Sequence, residues 1–297
     1  MTRIFLLLLL TLSPALYAQL ILHFDVNGTI MAADTAGRRL PEEAILEKLG
    51  ERTYGRWDGK NTTPYTAYCK KLPEERQRPM LNRLLFAMEE AGHPDAEATA
   101  AEYRELVAAI EGSTLFPSFY RLIGYLEVRQ IPYTVHLRTF GSDGKAILQD
   151  TEERLGHPLF TKRLWSKEGA FTDGESPLSV REAYEVFRTE NVAGQEDWAH
   201  WLAHKKGAEA GKPFPIDVED VGTVSIFFDD HILPADSPTN IVVPVDLDGN
   251  PLDRAPLLES GQLCLVDTIQ AIRDPDYFVK KVEEVLANSY APAHGRH

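Results

Sequence analysis

Cysteine is nearly missing from this chain: Cys69 and Cys264 are the only two in 297 residues. They are too few for a disulfide framework and carry no zinc-ligand spacing. A single bridge and two unpaired buried thiols both remain open. Positive charge is also scarce, with 31 basic residues against 45 acidic ones and a net charge of −14. That balance disfavours nucleic acid and anionic membrane as partners, and its ordinary meaning is a soluble surface. No internal period marks a repeat architecture. What is present, 43% hydrophobic and 26% charged residues, is ordinary for a globular chain.

The first residues differ in character. Met1-Thr-Arg is a short basic start, residues 4–12 are almost wholly apolar, and residues 13–18 end on the small Ala18. This is the anatomy of a secretory signal peptide over 1–18, and the run is too short for a mature membrane span. An apolar helix docked on the domain is the competing reading. Asn27-Gly-Thr29 and Asn61-Thr-Thr63 match the glycosylation acceptor pattern. The expectation is export to a bacterial periplasm or the medium, with no stable membrane span after cleavage.

The chemistry-bearing residues sit where apolar runs stop. Ile21-Leu-His-Phe-Asp25 reads as a strand buried on both faces that ends in a carboxylate, followed by Asn27, Gly28 and Thr29. Tyr133-Thr-Val-His-Leu-Arg-Thr139 alternates like a strand and ends in a hydroxyl, before Phe140. Val224-Ser-Ile-Phe-Phe-Asp229 closes on a carboxylate followed by a second, Asp230. In open parallel sheets ligands bind beyond such strand ends.

In this order the segments resemble the motifs of the haloacid dehalogenase-like superfamily, over essentially residues 20–285. The resemblance implies a nucleophilic Asp25, a phosphate-binding Thr139, a motif-four pair Asp229 and Asp230, and a Lys between them. Gly211-Lys-Pro nominates Lys212, with Gly-Lys-Pro expected to open a helix; Lys206 is the alternative, at a more usual interval. Gly28, Thr29, Thr139, Phe140 and Lys212 are the expected substrate contacts. The resemblance also implies Mg²⁺ held by Asp25, the main-chain carbonyl of Asn27 and Asp230, with Asp229 in support. Oxygen ligands of this kind suit that ion.

Asn27 departs from the family pattern, which has a second Asp there. An amide cannot cycle a proton near neutral pH. General acid–base assistance is worth about 10² to 10⁴-fold, roughly 2.7 to 5.4 kcal/mol of barrier. Substrates with stable leaving groups suffer least from that loss. The expected function is therefore a Mg²⁺-dependent phosphohydrolase of a small phosphorylated molecule, acting through an aspartyl-phosphate and selective for good leaving groups. Two other readings stand beside it: a degenerate member that binds a phosphorylated ligand or a protein, and a metal-free dehalogenase.

The expected fold is α/β, a Rossmann-like parallel sheet with helices on both faces. Residues 19–33 and 113–290 form the core. A mainly helical cap over 34–112 is inserted after the first strand, because helical spacing recurs near 40–49, 81–91 and 95–110. Residues 117–130 are the crossover helix. Residues 144–155, 179–189, 196–206 and 277–287 read as further helices, 239–246 and 262–267 as core strands, and 155–177 as loop-rich. Residues 291–297 are expected to be a disordered tail.

Overall fold

The computed structural model describes residues 18–33, 38–174, 176–237 and 239–290. The expected signal segment through residue 17 and the expected tail lie outside them.

Strands in chain order are β1 (Gln19–Phe24), β2 (Tyr54–Gly55), β3 (Thr63–Pro64), β4 (Tyr133–Thr139), β5 (Lys162–Lys167) and β6 (Ala170–Asp173). They continue with β7 (Ser176–Pro177), β8 (Val192–Gln195), β9 (Lys212–Pro215), β10 (Thr223–Asp229), β11 (Val242–Val245) and β12 (Leu263–Leu265). Eight of them form one sheet in the order β12-β10-β1-β4-β8-β5-β6-β7. The six from β12 to β5 run parallel, and β6 and β7 add antiparallel edges. The fold is α/β and Rossmann-like, as expected.

Alternation along β1 explains why the sheet is covered on both faces. Leu20, Leu22 and Phe24 join one apolar cluster with Phe119, Phe228 and Phe278. This is the face on which helices Pro117–Arg129 and Tyr277–Tyr290 lie, with the Phe24 ring edge-on to Phe119 and Phe278. Ile21 belongs to the opposite cluster with Leu164, Phe187 and Val192, where helix Val180–Thr189 packs. Both cysteines are buried free thiols.

Residues between β1 and helix Pro117–Arg129 are mainly helical, with helices Pro41–Arg52, Tyr65–Cys69, Glu74–Leu81, Leu84–Glu90 and Ala96–Ile110. Their buried residues, Leu49, Leu84 and Leu106 among them, share the cluster of Leu20 and Phe24. The insertion is thus built onto the sheet's own core.

Several segments differ from the sequence expectation. The stretch 155–177 carries β5 to β7. Val192–Gln195 is a central strand that sequence reading passes over, since four residues give no period to recognise. Residues 242–245 pair with β9 in a separate two-stranded sheet, rather than in the main one. Among the described residues no helix is long and apolar enough to cross a membrane.

Candidate active site

Register places the site. Phe24 pairs with Phe228 on one side and Leu137 on the other, so the chain leaves β1, β10 and β4 at one level. Asp25, Asp229 and Thr139 therefore stand together at the carboxyl edge. The Asp25 N–H donates to the Phe228 carbonyl at 2.9 Å, which extends the ladder to the reactive residue.

Lys212 is the hub, fully buried. Its Nζ donates to Asp25 Oδ1 at 2.5 Å and to Asp229 Oδ2 at 2.9 Å. The ammonium also stands 5.2 Å from the Phe140 ring centre and 5.9 Å from that of Phe227. Sequence reading put Lys212 at a helix start, and this is corrected: it opens β9, and its N–H donates to Ile241 across the pair with β11. Gly211 permits the approach, because a Cβ there would lie 2.3 Å from the Ile241 carbonyl oxygen. Lys206 is elsewhere, its ammonium over the rings of Trp198 and Trp201.

The turn after Asp25 ties the carboxylates to one another. Thr29 is fully buried. It donates to Asp25 Oδ2 at 3.3 Å and accepts the Asp230 N–H at 3.1 Å. Gly28 has φ +82°, and a Cβ there would fall 2.3 Å from Asp230 Oδ2. Only glycine leaves that carboxylate its place. Asn27 donates to the Ala33 carbonyl at 2.8 Å and to Asp143 Oδ2 at 3.1 Å, and accepts from the Thr139 hydroxyl at 3.4 Å. Thr139 Oγ1 in turn accepts the Gly141 N–H at 2.9 Å. Phe140 stacks on Trp201 and meets Trp198 edge-on, so it forms the apolar wall beside Lys212.

No family model matches the chain, and no curated protein or solved structure matches it.

Burial pushes the Asp25 carboxyl up to about 7; Lys212 opposes the rise, and Asp229 and Asp230 add to it. Burial alone would lower Lys212, but Asp229 and Asp25 hold it above the usual lysine range. Asp230 is lowered to about 2: burial raises it, but the His231 hydrogen bond and the Lys48 ammonium outweigh that. Three carboxylates thus face two lysine ammoniums. Asp229, Asp230 and His231 also offer ligand atoms within 4.8 Å of one another. A divalent cation held by Asp25, the Asn27 carbonyl and Asp230 beside the Gly28 turn would meet hard oxygen donors, and would take the place of the Lys48 and His231 contacts on Asp230.

Sequence reasoning missed three participants. Lys48, on helix Pro41–Arg52, bridges to Asp230 Oδ2 at 2.9 Å; nothing distinguishes it in sequence from a solvated lysine. Asp143, buried beside Asn27, lies four residues after Thr139. Arg138 is fully buried behind the site: it pairs with Glu196, contacts His23 Nδ1 at 3.2 Å and donates to the Pro213 carbonyl at 2.7 Å. The Glu196 N–H donates to the Thr139 carbonyl at 2.7 Å, so this ion pair fixes β9 against the ends of β4 and β1. A charged residue inside the apolar run of β4 was the available signal.

Proposed function

We propose that the chain is a haloacid dehalogenase-like phosphohydrolase that transfers the phosphoryl group of a small ester or anhydride to Asp25 and then to water. What supports this reading above all is the junction at Lys212, where one buried ammonium bonds carboxylates borne by two different strands. A structural ion pair needs one partner; two buried acids on one lysine describe a site that manages excess negative charge.

In this mechanism an Asp25 carboxylate oxygen attacks phosphorus, the bond to the leaving oxygen breaks, and an acyl phosphate remains on Asp25. Water then cleaves that acyl phosphate and restores the carboxylate. Lys212 neutralises the nucleophile and the phosphoryl oxygens, and Thr139 donates to one of those oxygens when it turns from Asn27. A Mg²⁺ ion on Asp25, the Asn27 carbonyl and Asp230 would let the two anions approach. Asn27 holds no transferable proton, so the leaving group departs with its own charge, which favours aryl and acyl phosphates or anhydrides over alkyl esters. Export remains the proposed localisation.

The test is phosphate release from a panel of esters and anhydrides, with and without Mg²⁺, for the native chain and Asp25→Asn. Metal-dependent release that disappears in the variant is expected. Release that survives in Asp25→Asn contradicts the proposal. Absence of any turnover, with phosphate or its analogues still bound, favours the degenerate binding domain, the reading to which Asn27 lends support.

A further inference from the structure

Thr139 belongs to two places at once. Its hydroxyl reaches Asn27, and its side chain also lines a cavity of about 190 Å³ on the far side from Asp25's strand. Pairing across β4, β8 and β5 sets Thr139, Gln195 and Trp165 in one row at the carboxyl edge. Two residues earlier, Leu137, Ala193 and Arg163 form a second row, and side chains two apart share a face of the sheet. Both rows line the cavity, and Lys145 joins them from helix Gly144–Leu155.

The lining has a definite chemistry. Leu137 and Ala193 make an apolar floor, and Trp165, 43% exposed, offers an indole wall. Lys145 and Arg163 bring two positive charges, and among the described residues neither side chain has an ion pair or hydrogen bond. In a chain with a net charge of −14, two unpaired cations beside an exposed tryptophan form a site for a flat anion. The volume lies below the roughly 300 to 1,000 Å³ of sites for drug-sized ligands, which suits one ring.

We infer that this hollow receives the leaving group of the substrate, a single aromatic ring bearing a second negative group such as a carboxylate. The inference rests on the phosphohydrolase reading for the identity of the other end of the substrate. It also meets the limitation at Asn27, because a phenolate needs no proton to leave.

Calorimetry of the full chain with two inert probes in Mg²⁺ buffer, benzylphosphonate and 4-(phosphonomethyl)benzoate, tests the hollow independently of turnover. The carboxylated probe is expected to bind about tenfold more tightly, equivalent to about 1.4 kcal/mol. That preference is expected to vanish in Lys145→Ala/Arg163→Ala and to persist in Lys60→Ala, a change at an exposed lysine elsewhere. Equal binding of the two probes overturns the inference, as does a preference that survives the double variant. Turnover of phenyl phosphate and 4-carboxyphenyl phosphate separates the two claims. If the binding preference holds and neither ester is hydrolysed, the hollow stands and the phosphohydrolase reading falls. If both are hydrolysed with the same kcat/KM, the hydrolase stands and the hollow is no leaving-group site.

Discussion

Asn27 and Asp143 behave as a unit, because the amide donates to a buried carboxylate at 3.1 Å. Placing a carboxyl here by Asn27→Asp would therefore set two carboxylates against each other. We expect that single change to cost about 1 to 3 kcal/mol in urea unfolding and to leave alkyl phosphate turnover no faster. Adding Asp143→Asn supplies a donor again. The double variant should regain stability and hydrolyse alkyl esters about 10²-fold faster or more. A single variant as stable and active as the double one would show that the pair is not coupled. At this scale most of the site was legible. Asp25, Thr139, Asp229 and Asp230 each end or follow an apolar run, and sheet geometry gives such positions a common edge. Asp143 was hidden because its role depends on Asn27, a contact across 116 residues.

Elements bring in what the motifs leave out. Lys212 was found as a residue and misplaced as an element: Lys212–Pro215 contains two prolines that cannot donate to a ladder, so nothing local reads as strand. It becomes one only by pairing with β11 and by Arg138 holding the Pro213 carbonyl. The strand β8 was lost for its shortness, and the β5–β7 segment because its turns outweigh its alternation. Helix Pro41–Arg52 carries the clearest consequence. Its Lys48 ammonium sits 2.9 Å from the carboxylate proposed to hold the cation, where it competes with a like charge. Lys48→Met is expected to tighten Mn²⁺ binding, followed by electron paramagnetic resonance, on the order of tenfold. Unchanged or weaker binding would mean that Lys48 supports the cation site.

Across the whole molecule, stability should carry a pH signature from the sheet interior. His23 and His136 are neighbours in register, both fully buried. Burial holds both well below the usual histidine range, and Arg138 adds to this for each of them. On unfolding each ring takes up a proton once the pH is below about 6.5, so stability falls as pH drops, by up to about 1.4 kcal/mol per pH unit for each ring. Asp25 acts in the opposite sense, since its raised carboxyl binds a proton in the folded state that the unfolded chain releases. A difference measurement removes that offset. His136 Nδ1 is buried without a hydrogen-bond partner among the described residues, and His136→Phe is expected to flatten the decline below pH 6.5 by about one such slope. An unaltered slope would show that the ring is already charged in the fold.

The proposed chemistry is a covalent one, and it can be caught directly. Native protein mixed with acetyl phosphate and Mg²⁺, quenched within milliseconds and digested, should carry phosphate on the peptide containing Asp25. That label should be absent without the metal and in Asp25→Asn. Phosphate on any other residue, or metal-independent labelling that Asp25→Asn leaves intact, would contradict a mechanism built on this carboxylate.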